Sequence, residues 1–216
     1  MGSDTDKNIL KTGTTTVGIL CKDGIVLAAD KRATAGYLVA QKDADKVHQI
    51  TENIAVTMAG TVSDAQLLIK LIQAEARLKG IQTGRMIQVK EVANLTSRMV
   101  YNNIRQFSSI PGITQFIMGG RDLYGFHLYD LFVDGSISDI DEYVSSGSGS
   151  TTAYGVLETL YTKNLSVDEG IKLALKSLHA ALQRDSASGS GYDVVTITEK
   201  GVQHIIGKEI NTVVSA

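Results

Sequence analysis

The chain has 216 residues, 43% of them hydrophobic, enough to bury the core of one domain or, at a stretch, of two small ones. Its 21 basic and 23 acidic side chains leave a net charge of −2, so no electrostatic footprint points to nucleic acid or to a membrane surface. A single cysteine, Cys21, excludes an internal disulfide and suits a reducing, cytoplasmic setting, and no apolar run reaches the roughly 18–20 residues that span a bilayer.

Residues 1–13 are polar, without helical or strand periodicity, and lack the apolar core of a secretory signal. On composition they read as a frayed leader, with a propeptide as the alternative. The first strong pattern follows at once. Thr14 to Cys21 is rich in β-branched residues, Lys22-Asp23-Gly24 supplies a turn, and Ile25 to Asp30 returns, which predicts a hairpin. Its apolar residues are nearly continuous, as expected of strands covered on both faces. A polar stretch through Asp43 and Lys46 leads to a further strand over residues 54–59, ended by Gly60.

From Ser63 the period changes. Leu67, Leu68, Leu71, Ile72 and Leu78 predict one helical stripe facing the core, with Gly80 as its C-cap. A second helix is predicted over about residues 88–107, with Val92, Leu95, Met99 and Ile104 inward and Pro111 just beyond its end. Strands resume at residues 114–119, 124–132 and from about Ile137, the last after an Asp134-Gly135 turn. A Gly/Ser cluster over residues 145–150 opens a helix through Tyr161. A longer helix over residues 166–184 carries Val167, Ile171, Leu175, Leu178 and Leu182 as its inner face. Strands at 193–198 and 202–206 close the chain. This order (strands, two helices, strands, two helices, strands) argues against a doubly wound sheet, in which single strands and helices alternate. It predicts an α+β fold of two stacked sheets, each covered by a helix pair on its outer face.

Several site types are excluded by spacing. His48, His127, His179 and His204 show no metal-ligand pattern, and Cys21 has no cysteine partner, so neither a metal nor a cofactor is called for. Gly147-Ser148-Gly149 begins like a dinucleotide loop, but Thr152 stands at the third glycine position and no Walker lysine follows. No Gly-x-Ser-x-Gly elbow lies in the right context. A threonine remains. A cut between Gly13 and Thr14 gives Thr14 both a hydroxyl nucleophile and a free α-amine, which titrates near ~7.7–8.0 and can act as its base. Gly13, without a side chain, leaves its carbonyl open to the neighbouring hydroxyl.

Gly13-Thr14-Thr15-Thr16-Val17-Gly18, Ala28-Ala29-Asp30-Lys31-Arg32-Ala33-Thr34, Lys46, Met58-Ala59-Gly60, Ser146-Gly147-Ser148-Gly149-Ser150 and Arg184-Asp185-Ser186-Ala187-Ser188-Gly189 follow in order along the chain. Together they resemble the motifs of proteasome β subunits, most closely the archaeal type, from Thr14 to the last strands. The resemblance implies the four-layer αββα sandwich of N-terminal-nucleophile hydrolases, with residues 1–13 a propeptide removed by autolysis and 14–216 one domain. It implies a threonine endopeptidase. Thr14 would attack the scissile carbonyl, Lys46 would lower its hydroxyl pKa, Asp30 would hold Lys46, and the Gly60 amide would form the oxyanion hole. Ser148, Asp185 and Ser188 would orient the Thr14 amine. Thr34, Gly60 and Val62 would hold substrate backbone, and Ala33, Ala44, His48, Met58 and Val62 would line a first specificity pocket suited to hydrophobic residues.

The same resemblance implies assembly: a homo-heptameric β ring stacked on a second, proteasome α subunits as caps, and an ATP-dependent unfoldase that feeds unfolded proteins through the α ring. Two rival readings keep the fold. One is an N-terminal-nucleophile amidase on small amides, the other a non-catalytic structural β subunit.

Overall fold

The computed structural model describes residues 13–108 and 111–205; of the predicted leader only Gly13 falls within these, and the last strand is described as far as Ile205. The predicted Asp23-Gly24 hairpin forms as β1 (Thr15–Cys21) and β2 (Gly24–Asp30), antiparallel with Thr16 opposite Ala29. All seven residues of β2 are buried, and the two faces serve different cores. Ile25, Leu27 and Ala29 point between the sheets, while Val26 and Ala28 point toward a helix layer. That is why the hydrophobic run is continuous instead of alternating.

Two five-stranded antiparallel sheets are stacked. The first has the order β10-β1-β2-β11-β12, adding β10 (Tyr143–Gly147), β11 (Tyr192–Thr198) and β12 (Gly201–Ile205). The second has the order β5-β6-β7-β8-β9, from β5 (Val47–Thr51), β6 (Ile54–Gly60), β7 (Thr114–Asp122), β8 (Gly125–Leu131) and β9 (Ile137–Ile140). Ile25, Leu27, Ile117, Leu128 and Val195 fill the space between them. Helices α1 (Val62–Thr83) and α2 (Val89–Ile104) cover the second sheet, and α3 (Ser150–Leu160) and α4 (Val167–Leu182) cover the first. The result is the predicted αββα sandwich. Among the described residues no helix is long and apolar enough to cross a membrane.

Several details correct the sequence reading. Helix α1 runs past Gly80 to Thr83, and its left-handed cap is Gly84, at φ 61°, whose N–H donates to the Gly80 carbonyl. Its core face is Ala65, Leu68, Ile69, Ile72 and Ala76, whereas Leu67, Leu71 and Leu78 are exposed on the opposite side. The helix carries two apolar stripes, and periodicity alone cannot say which one meets its own sheet. The inner faces of α2 and α4 are met in part: Val92, Val167 and Leu178 are buried as expected, whereas Leu95, Met99 and Ile104, like Ile171, Leu175 and Leu182, are only half-buried. Small residues (Ala93 and Thr96 on α2; Gly170, Ala174, Ser177 and Ala181 on α4) take the deepest places, because they let each helix lie close to its sheet. A Cβ on Gly170 would stand 2.6 Å from Cys21 Sγ.

The polar stretch after Asp30 also contains strands, the two-stranded β3 (Ala33–Ala35) with β4 (Leu38–Gln41), and then β5. The Gly/Ser cluster is likewise half strand, since Ser145 to Gly147 pair with β1 and only Ser148 and Gly149 turn into α3. Helices α2 and α4 begin at capping boxes, Gln88 with Glu91 and Ser166 with Glu169, where the sequence places them.

The stripe assignment on α1 is testable. Ile72→Ala, at 0% exposure, is expected to lower the unfolding free energy by about 2–5 kcal/mol in urea titration of the isolated chain. Leu71→Ala, at 44% exposure, is expected to change it by less than about 1 kcal/mol.

Candidate active site

The tight β1–β2 hairpin sets the start of β1 beside the end of β2, so the chain entering β1 lies against Asp30. The Thr15 N–H donates to Asp30 Oδ1 at 3.0 Å, and the N–H groups of Arg32 (3.1 Å) and Gly189 (2.8 Å) donate to Oδ2. Lys46 arrives from the other sheet, just ahead of β5. Its Nζ donates to Asp30 Oδ1 at 2.8 Å and to Thr14 Oγ1 at 3.0 Å. Asp30 is 0% and Lys46 3% exposed. Burial pushes the Lys46 pKa below the ordinary lysine value, while the Asp30 carboxylate pulls it back up. The Thr14 hydroxyl accepts from this ammonium and donates its own proton to the Gly13 carbonyl, 2.7 Å away. A cation against the oxygen lowers the cost of removing its proton, and the nearest carbonyl is that of the preceding peptide bond.

A second cluster lies on the other side of Thr14. The Thr14 N–H donates to Ser148 Oγ at 3.3 Å. Ser148 Oγ lies 2.5 Å from Asp185 Oδ2 and 3.4 Å from the Thr14 carbonyl, so its single proton goes to the carboxylate. Ser188 Oγ donates to the same Oδ2 at 2.6 Å. Thr15 Oγ1 stands 2.8 Å from Ser188 Oγ, and with the serine proton committed to Asp185, the threonine is the donor. Gly13 fits this corner only as glycine, since a Cβ there would fall 1.8 Å from the Ala187 Cβ. All seven residues given catalytic roles by the resemblance (Thr14, Asp30, Lys46, Gly60, Ser148, Asp185 and Ser188) therefore gather around one threonine or its pocket.

That pocket is lined by Gly13, Thr14, Ala33, Thr34, Lys46, Met58, Ala59, Gly60, Val62 and Ala65. It contains the expected Ala33, Thr34, Met58, Gly60 and Val62, and no acidic side chain. Gly60 turns the chain from β6 to α1 at φ 108°, where a Cβ would lie 2.1 Å from the Ile113 carbonyl oxygen. Ala44 and His48 are not among the lining residues. The Ala44 backbone is tied to the Lys31 carbonyl, and His48 sits opposite Val56, two positions along the strand from Lys46, which faces Met58. Burial lowers the His48 pKa.

Four contributors had no role from sequence. The Arg32 guanidinium donates to the Ser186 carbonyl at 3.0 Å and so clamps the loop that carries Asp185 and Ser188. Thr15 completes the hydroxyl chain to Asp185, and Ala65 closes the pocket from α1. Asp193 accepts the backbone N–H groups of Lys46 and Val47 on a single oxygen. Only an acid at the start of an otherwise apolar strand marked it. Among the described residues no group of histidine, cysteine, aspartate and glutamate side chains could hold a metal ion.

Two antiparallel sheets sandwiched between helix pairs, with a threonine at the mouth of the first strand, make the fold that of the N-terminal-nucleophile hydrolases. The sequence profile of proteasome subunits matches residues 10–197. The proteasome subunit beta of Ferroglobus placidus is 46% identical over 202 residues, covering 93% of this chain and 94% of its own. That of Archaeoglobus profundus is 44% identical over 205 residues (94% and 93%), and that of Methanocaldococcus vulcanius 45% over 199 residues (92% and 87%). The chain belongs to the proteasome subunit family, whose members are components of a multi-subunit protease.

The one thiol makes a clean control for the threonine site. Burial pushes the Cys21 pKa up to about 12, with Asp23 and Glu169 adding to the effect. Cys21 is therefore expected to resist iodoacetamide in the folded protein at about pH 8 and to be alkylated promptly in urea, as read by intact mass.

Proposed function

We propose that this chain is a catalytic β subunit of a proteasome core particle, a threonine endopeptidase that acts on unfolded proteins after cutting itself between Gly13 and Thr14. The observation that carries the reading is Lys46 Nζ at 3.0 Å from Thr14 Oγ1, held there by a fully buried Asp30. Neither a histidine nor a thiol stands in that arrangement.

In the first reaction Thr14 Oγ adds to the Gly13 carbonyl carbon, the C–N bond breaks, and its nitrogen takes the proton. Water then hydrolyses the resulting ester, releasing residues 1–13 as a carboxylate and restoring the hydroxyl. The product carries a free α-amine beside Ser148. A hydrogen-bonded chain from exposed Ser148 through half-buried Asp185 to buried Ser188 and Thr15 supports its direction. In peptide hydrolysis the amine takes the Oγ proton as Oγ attacks, then passes it to the leaving amine of the substrate, and water cleaves the acyl-enzyme by the reverse route. Lys46 stabilises the developing alkoxide. The Gly60 amide serves the oxyanion, an effect often worth ~3–4 kcal/mol per donor.

Substrate lies as an added strand between Thr34 and the Gly60–Val62 segment, a mode that reads sequence through side-chain pockets. Ala33, Met58, Val62 and Ala65 give the first pocket an apolar lining, which supports preference for cleavage after hydrophobic residues. The exposed leucines of α1 support life in an assembly, since so long an apolar stripe is usually covered by a partner. The assembly proposed is a homo-heptameric ring stacked on a second, capped by α rings and served by an ATP-driven unfoldase. The proposed location is the cytoplasm.

Mixing the chain with its α partner and weighing the subunit tests the reading. Loss of a mass matching residues 1–13 is expected, and Thr14→Ala is expected to keep the leader and all but abolish peptide hydrolysis. Peptides with leucine or tyrosine at the cleaved position are expected to turn over faster than those with aspartate. A full-length mass persisting in assembled rings would point to a structural subunit. An active monomer would point to a small-amide hydrolase.

A further inference from the structure

The geometry points to Asp193 as a positioning residue for Lys46, one that fixes the root of the lysine while Asp30 fixes its tip. The inference deepens the reading of Thr14 as nucleophile and rests on it. Lys46 precedes β5, an edge strand of the second sheet, whereas Thr14 and Asp30 belong to the first. A side chain that bridges two sheets is only as well placed as its backbone. At the edge, β5 has a single ladder partner, β6, and the Lys46 carbonyl is taken on that side by the Met58 N–H at 2.9 Å.

On the other side Asp193 supplies what the sheet does not. Its Oδ2 accepts from Lys46 N at 3.0 Å and from Val47 N at 2.8 Å, two successive amides on one charged oxygen. Charge-assisted bonds of this kind are stronger and more directional than neutral ones. Asp193 also lies opposite Ala29 in the β11–β2 ladder, one residue from Asp30. Root and tip of Lys46 are thus both referenced to neighbouring positions of two paired strands. The distance from Nζ to Thr14 is set by the first sheet at both ends.

The variant Asp193→Ala frees both amides. A displacement of about 1 Å can cost on the order of a hundredfold in rate. The expected result, counted per assembled particle, is a fall in kcat of about ten- to a hundredfold with KM within about twofold. With the Lys46 cation farther from Thr14, the free α-amine that serves as base holds its proton more tightly, so the rising limb of the kcat/KM profile moves to higher pH. Asp193→Asn keeps a carbonyl oxygen that can accept both amides, and it is expected to recover most of the rate and the normal limb. Asp193→Glu keeps the charge but shifts the oxygen by a methylene. It is expected to show the alkaline shift even if Asp193→Ala fails to assemble.

An assembled Asp193→Ala or Asp193→Glu particle with unaltered kcat and pH profile would overturn the inference, even if its melting temperature fell. A Thr14→Ala particle that still hydrolyses peptide would remove the underlying reading and the inference with it. Loss of activity in Thr14→Ala beside normal kinetics in Asp193→Ala would overturn the inference alone.

Discussion

A buried ammonium shared between a carboxylate and a hydroxyl is the constraint on which the rest of this structure turns. Removing Lys46 and Asp30 from water is costly, and a buried ion pair is by itself weak grounds for stability. Here the cost is offset because each oxygen of Asp30 has two donors: Lys46 and Thr15 on one, Arg32 and Gly189 on the other. Those four donors come from four separate places along the chain, brought to one end of the sandwich. The ion pair therefore demands the fold, and the fold in turn delivers the cation to Thr14.

The two-sheet architecture explains why the site lies where it does. A lysine on one sheet must reach a threonine on the other, so the site has to form where the sheets' ends approach and where loops can supply amides. The 185–189 loop and the 148–149 turn meet the start of β1 there, packed closely enough that Gly13 admits no side chain. A chain passing through so tight a corner holds its own carbonyl against a hydroxyl, the geometry that the proposed self-cleavage needs.

Much of this was legible in the sequence, but unevenly. The strand and helix order showed the layers because hairpin turns and helical periodicity are local signals. Thr14, Asp30, Lys46 and Asp185 could be singled out only because several unremarkable motifs occur together in order; no spacing rule connects residues so far apart. Leu67 and Leu71 were misread for the opposite reason. Their periodicity is genuine, but it marks a surface that its own domain does not cover. Asp193, Thr15 and Arg32 had no legible role, since they act through backbone amides and carbonyls or another residue's hydroxyl, which leave no pattern in residue types. His48 and Ala44 carried expected pocket roles and are not among the residues that line it.

The central claim is that Thr14, freed at its N-terminus and faced by Lys46, is the nucleophile. The most direct measurement is to treat the assembled particle with a peptidyl vinyl sulfone ending in leucine and map the adduct by mass spectrometry. The account predicts one adduct per subunit, on Thr14, in a peptide that begins with that residue. An adduct on Cys21, or an unmodified Thr14 still joined to Gly13, would contradict it.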